Sequence, residues 1–272
     1  MAVDFHLHTW CSDGASCPRD LLAAVRRQGL TAFAVTDHDT CAGWRELVGE
    51  PGLVCGVEMT AGFEGREIHI VGLGIDPEAP DLQHLRRAIR QRREERLAAI
   101  ILRLPERVRR QVTVEDLRDH RAPTAGTTLG RNHLARALVA RGGVPSIREA
   151  FTAWLADEHT ADGSLPGFPP VRTVAEAIRA AGGVAILAHP GVYREIPLVL
   201  TVMDEGLDGL ELAHPGLDPT LASTLSAAAA HRRWYGSVGT DLHWLGGSRQ
   251  PGQVDHQVPG LPALLERLGV AA

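Results

Sequence analysis

At 272 residues and 29.2 kDa the chain can form one large domain or two small ones around a full core. Hydrophobic residues at 44% and charged residues at 22% exclude a mainly disordered or fibrous protein, and a net charge of −5 excludes a broad basic surface for duplex nucleic acid. No apolar run approaches the roughly 20 residues that span a bilayer, and residues 1–5 enter a strand-like stretch without a basic leader, so no membrane partner and a cytoplasmic location are expected.

Strand patterns are predicted at residues 3–8, 32–36, 53–57 and 67–75, with helices at 18–29 and around 43–48 between them. This alternation predicts a parallel α/β sheet or barrel. From 81 to 104 the texture becomes helical and Arg-rich, and helical patterns continue at 114–120, 130–141 and 147–155 until a Gly/Pro-rich stretch at 162–170. The α/β rhythm then returns, with strands at 184–188, 209–212 and 235–238 and helices at 174–181, 196–205, 219–231 and 261–268. Seven strands interrupted once fit a (β/α) barrel better than an open doubly wound sheet. The expected organisation is a barrel from 1–78 and 166–272, with 79–165 a small helical insertion.

All 28 basic residues are arginine. Any cation gripping a phosphate is therefore a planar fork of donors, and Schiff-base lysine chemistry is excluded. Cys11, Cys17, Cys41 and Cys55 show no CxxC spacing and are expected as free thiols. The arginines from Arg86 to Arg96, partly balanced by Glu94 and Glu95, are expected around a solvated helix face.

The 13 histidines carry the functional signal. His6 and His8, two apart on a strand, point to one face. Asp13 follows. Other predicted strands run into Asp37-His38-Asp39, Val57-Glu58, His189 and Asp241-Leu242-His243, and one carries His69. A single histidine beside a strand is ordinarily a hydrogen-bonded structural residue, and Glu58 or Asp241 alone could cap a helix. Gathered at the same ends of several strands, where barrel enzymes place their sites, such carboxylates would repel and be costly to desolvate without cations. Imidazole with carboxylate and no thiolate suits Mn²⁺, Fe²⁺ or Zn²⁺. Nine candidate ligands exceed the needs of one ion. Two or three ions are implied, an arrangement suited to phosphoester hydrolysis.

His6-Leu7-His8 with Asp13, Thr36-Asp37-His38, Gly56-Val57-Glu58, Glu67-Ile68-His69, Ala188-His189-Pro190-Gly191 and Asp241-Leu242-His243 resemble, in order, the motifs of the PHP (polymerase and histidinol phosphatase) superfamily, from residue 1 to about 246. The resemblance implies a distorted (β/α)₇ barrel with a trinuclear metal site, Mn²⁺ first among the candidate ions. One ion would be held by His6, His8, Glu58 and Asp241, a second by Asp13, His38 and His243, and a third by His69 and His189 with Glu58 bridging. Asp241 and His189 are the candidate catalytic groups. Asp37 is expected to orient a ligand or cap the following turn, and His214 in Ala213-His214-Pro215 mimics the His189 motif. His84, His120, His159, His231 and His256 need no functional role.

Aspartate at position 13, the segment at 65–72 and Gly130-Arg131-Asn132-His133 resemble the members that act on nucleoside 3′,5′-bisphosphates and short RNA 5′ ends. A small phosphorylated nucleotide or short oligonucleotide is thus the implied substrate, with Arg131, His133 and Arg194 as candidate phosphate-binding residues. Asn132 departs from the family's Gly-Arg-Pro-His, and Gly167-Phe168-Pro169 departs from Ala-Tyr-Val. The alternatives are a histidinol-phosphate phosphatase and a PHP module that binds metal without turnover.

Overall fold

The computed structural model describes residues 1–118, 127–156 and 165–270; His120 and His159 lie outside them. Seven strands form one mixed sheet in chain order: β1 (Val3–Leu7), β2 (Ala32–Val35), β3 (Leu53–Phe63), β4 (Arg66–Leu73), β5 (Val184–Leu187), β6 (Gly209–Ala213) and β7 (Tyr235–Val238). Helices α1 (Pro18–Arg27) and α2 (Ala42–Arg45) sit among the first strands, and α7 (Val171–Ala180), α8 (Ile196–Asp204), α9 (Pro219–Arg232) and α10 (Leu261–Arg267) among and after the last. Pro18 starts α1, and the Cys17 sulfur accepts from the Asp20 N–H at 3.3 Å. Leu7 also pairs in parallel with Leu242, just beyond β7.

The expected parallel run fails at β4, which is antiparallel to both β3 and β5. Glu64 and Gly65 carry φ of 48° and 77°, and a two-residue turn with both residues left-handed reverses the chain into a hairpin. β3 therefore runs to Phe63, past the expected end at residue 57. Glu58 lies in mid-strand, with Glu58 opposite Val71 and Thr60 opposite His69.

Between β4 and α7 lie α3 (Pro80–Arg103), α4 (Glu106–Arg109), a 3₁₀ turn at Glu115–Leu117, α5 (Arg131–Ala140) and α6 (Ile147–Ala150), which continues as a π turn over Phe151–Leu155. Their apolar residues, among them Leu97, Leu129, Leu134 and Leu138, form their own cluster, apart from those on the sheet. No helix among the described residues is long and apolar enough to cross a membrane.

The arginines of α3 are not all solvated. Arg86, Arg93 and Arg96 are buried in line with Leu82, Ile89, Leu97 and Ile100, on the stripe that helical periodicity turns inward. Arg93 Nε donates to Asp39 Oδ2 at 2.6 Å, and its Nη2 bonds Thr60 Oγ1. Arg96 lies over the Phe168 ring at 5.5 Å. Burial is possible because each charge meets a polar partner beneath it, which residue spacing alone does not disclose.

Removing one partner of a buried ion pair leaves the other charge desolvated, at a cost of about 3–5 kcal/mol. Arg93→Met should cost stability on that order in urea unfolding, whereas Arg92→Ala, at a half-exposed pair with Glu95, should stay within about 0.5 kcal/mol. Equal effects would refute this account of how α3 is anchored.

Candidate metal centre

Leu7 packs with Leu21, Val25 and Phe33 on the helix side of the sheet, so the flanking His6 and His8 face the opposite way. The pairing register shifts between Asp4 and Leu7, and both imidazoles bring Nε2 to 3.3 Å from Glu58 Oε2. The β3–β4 hairpin supplies the next contact: His69, diagonal to Glu58 across the ladder, places Nδ1 3.0 Å from Glu58 Oε1. His38, following β2, approaches Oε2 through Nδ1 at 2.9 Å, and His189, following β5, approaches Oε1 through Nε2 at 3.1 Å. Five imidazoles thus surround one fully buried carboxylate.

A second focus lies beside it. Asp13 Oδ1 is 3.0 Å from His243 Nε2, 3.7 Å from His38 Nε2 and 3.8 Å from His8 Nδ1. Asp241 Oδ1 closes the ring at 3.2 Å from His8 Nε2 and 3.5 Å from His6 Nε2. All nine residues singled out as ligands are brought together. Three overlapping sets, His8-Asp13-His38-His243, His6-His8-Glu58 and His38-Glu58-His69, hold ligand atoms within 4.8 Å of one another; His189 and Asp241 border them.

His6 Nε2, His8 Nε2, Asp13 Oδ1, His38 Nδ1 and Glu58 Oε2 are buried yet have no hydrogen-bond partner among the described residues. Buried polar atoms are normally satisfied. A group of orphans aimed at one small volume, with hard oxygen and imidazole nitrogen donors, fits divalent cations.

The charges agree. Burial would raise the Glu58 carboxyl, but His38, His6 and His69 hold it well below its ordinary range, and Asp13 and Asp241 are held low against burial, with His243 their largest favourable neighbour. Burial opposes protonation of His69 and His243, yet the carboxylates beside them raise both to about 10. At His38 burial wins, with Arg93 adding to it, and lowers it to about 4.

Outer contacts fix the ligand orientations. Glu211, on β6, pairs with His6 Nδ1 at 2.7 Å and accepts the His189 N–H at 2.5 Å. Glu67 pairs with His69 Nε2 at 3.0 Å. Asn132 donates to Asp13 Oδ2 at 2.6 Å, and Arg136 to the Asp13 carbonyl at 2.6 Å. His243 Nδ1 donates to the Asp241 carbonyl at 3.0 Å. Sequence reasoning missed Glu211 and Glu67; a carboxylate inside an otherwise apolar strand was the available signal. Asp37 accepts from Thr9 and Ser12, holding the loop that leads to Asp13.

The other candidates spread around the rim. Arg131 Nη2 lies 3.3 Å from Glu67 Oε2 and its Nη1 donates to the Leu155 carbonyl. His133 is buried, its Nδ1 accepting the Gly130 N–H at 3.1 Å, and it lines a cavity of about 310 Å³ with Trp10, Ser12, Gly14 and Arg136. Arg194 is exposed in the turn after His189. His214 Nε2 is 3.7 Å from Asp241 Oδ2.

The PHP domain pattern matches residues 4–102. The chain is 32% identical to a 5′-3′ exoribonuclease of Haemophilus influenzae over 94% of this chain and 96% of that protein. It is 32% identical to a phosphoribosyl 1,2-cyclic phosphate 1,2-diphosphodiesterase of Eggerthella lenta (89% and 94%) and 29% identical to a 3′,5′-nucleoside bisphosphate phosphatase of Chromobacterium violaceum (94% and 93%). A Bifidobacterium adolescentis crystal structure described as a candidate metal-dependent phosphoesterase superposes with a TM-score of 0.82 at 30% identity, over 97% of this chain and 96% of that one. With the ligand cluster built on the strands that this pattern spans and continued by His189, Asp241 and His243, the chain belongs to the PHP family of metal-dependent phosphoesterases.

Proposed function

We propose that the protein hydrolyses a phosphomonoester of a small nucleotide, a nucleoside 3′,5′-bisphosphate first, with trimming of short RNA 5′ ends as a related activity. The observation that carries this reading is the set of buried, unsatisfied imidazole and carboxylate atoms converging around Glu58. The names of the Chromobacterium and Haemophilus relatives point to the substrate class. The sheet is read as a distorted (β/α)₇ barrel, supported by the Leu7–Leu242 bridge. The helical segment 79–165 is read as an insertion over its mouth, supported by Asn132 and Arg136 reaching Asp13.

His6, His8, Glu58 and Asp241 would hold one ion, Asp13, His38 and His243 a second, and His69 and His189 a third with Glu58 shared; Mn²⁺ is the first candidate, Fe²⁺ and Zn²⁺ the others. Bound divalent ions supply an acidified water and neutralise charge on the phosphoryl oxygens. The chain's own groups set the donors. Glu211 accepts a hydrogen bond from His6 Nδ1–H and leaves Nε2 with its lone pair; Glu67 accepts from His69 Nε2–H and leaves the lone pair on Nδ1; Asn132 donates to Asp13 Oδ2 and leaves Oδ1 free to coordinate.

Asp241, with its side chain 23% exposed, and His189 are the groups assigned to the reacting phosphate, and the low pKa of Asp241 suits it to accept a proton rather than to donate one. The cavity at Trp10, His133 and Arg136 would take the part of the substrate that is not cleaved. Arg131 at the Glu67 side and Arg194 beyond His189 are the cations assigned to its second phosphate.

Three outcomes test this. With Mn²⁺, phosphate release from adenosine 3′,5′-bisphosphate should exceed that from histidinol phosphate and vanish on chelation; metal bound without turnover of these or a 5′-phosphorylated dinucleotide would leave a non-catalytic module. Loading metal at pH 7 should release protons, because His69 and His243, raised to about 10 in the ion-free protein, must give up their protons to coordinate; affinity should fall as pH falls, and an indicator dye showing no release would contradict the ligand set. Glu211→Gln, which weakens the carboxylate behind His6, should lower metal affinity about 10–100-fold in a competitive chelator titration, and unchanged affinity would remove Glu211 from the centre.

A further inference from the structure

Away from the metal cluster, Arg86 is buried at 5% exposure on the inner stripe of α3. Its Nη2 donates to the Pro77 carbonyl and its Nη1 to Cys41 Sγ at 2.7 Å. Among the described residues no carboxylate pairs with it. A buried guanidinium without a counter-charge is strongly disfavoured, and the group in position to supply one is the Cys41 sulfur as a thiolate.

The surroundings agree. Arg45, Arg87 and Arg90 line the same cavity of about 350 Å³, with Cys41 in its wall and Glu78 its one carboxylate. Cys55, on β3, packs against the buried cluster that contains Cys41; the neighbouring Cys55, then Arg86 and Arg45, hold Cys41 below the ordinary thiol range against burial, while Cys41 raises Cys55. The other two cysteines differ: burial pushes Cys11 up to about 12 and also raises Cys17.

We propose that Cys41 and Cys55 form a modification site for peroxide, with Cys41 the attacking thiolate beside Arg86 and Cys55 the resolving thiol. The Cys41 sulfur attacks one oxygen of hydrogen peroxide, the O–O bond breaks, and hydroxide leaves, giving Cys41 sulfenic acid. Cys55, losing its proton, then attacks that sulfur; the S–O bond breaks, water leaves, and a Cys41–Cys55 disulfide remains. Two electrons pass from sulfur to peroxide. The neutral disulfide no longer compensates Arg86, so small thiols reverse the step readily.

The site stands three residues beyond His38, on the segment joining β2 to α2, but uses no residue of the metal cluster. Its test is therefore independent of the substrate reading. The full chain, loaded with zinc, which peroxide does not oxidise, is treated with hydrogen peroxide at pH 6 and digested with trypsin. Cleavage after Arg27, Arg45 and Arg66 places the two cysteines on separate peptides.

The expected product is the linked pair, formed at least about tenfold faster than Cys17 is oxidised, as a stabilised thiolate requires, and lost on treatment with dithiothreitol. Cys55→Ser should stop at a dimedone-reactive Cys41, and Cys41→Ser should leave Cys55 reduced. Recovery of both free thiols from the wild type, or a Cys41 in the Cys55→Ser chain that is no more dimedone-reactive than Cys17, overturns the proposal.

Discussion

A carboxylate with no solvent exposure, approached by five imidazoles within 3.3 Å, is the interaction around which this molecule is arranged. Glu58 cannot be desolvated cheaply by itself, and five neutral rings facing it with lone pairs would not repay the cost. The cluster compensates by favouring protons on His6, His69 and His243, and those rings would have to give them up to bind a divalent cation. At His6, His69 and Asp13 the second polar atom is tied to Glu211, Glu67 and Asn132, so that the first points into the cluster.

The backbone accepts strain to reach that geometry. Asp39, His189 and Asp241 all occupy left-handed φ, at 52°, 31° and 50°, a conformation costly for non-glycine residues and concentrated at functional sites. His189 and Asp241 turn off the ends of β5 and β7 in this way, and Asp4 ties β1 to the turn before Asp241 through Thr240. Gly239 completes the packing: a Cβ there would lie 2.4 Å from His6 Cβ and 2.7 Å from Glu211 Oε1, so the strand can approach the ligand only without a side chain.

Legibility followed the range of the interactions. His6-Leu7-His8, Asp37-His38 and Asp241-Leu242-His243 announce themselves because each pattern is local, and the strand and helix cores are periodic over short spans. The antiparallel β4 was hidden because Glu64-Gly65 lacks the Asn-Gly or Asp-Gly pair that marks a two-residue hairpin. Glu211 and Glu67 were hidden because their partners are imidazoles whose orientation only the folded sheet sets. The inward arginines of α3 were hidden for a related reason: charge in a helix reads as surface until Asp39, Thr60 and Cys41 are known to lie beneath it.

The segment between β4 and α7 reaches the cluster directly. Through Asn132 the first turn of α5 holds the outer oxygen of Asp13, and through Arg131 it holds Glu67, which orients His69. Contacts to two members of the cluster, Asp13 directly and His69 through Glu67, are therefore set from one helical turn. An asparagine where the family pattern has proline adds a side-chain donor at that spot, which couples the pose of α5 to the pose of Asp13. A shift of that turn would move the contacts on Asp13 and on Glu67 together, so the pose of α5 and the shape of the cluster share one mechanical element.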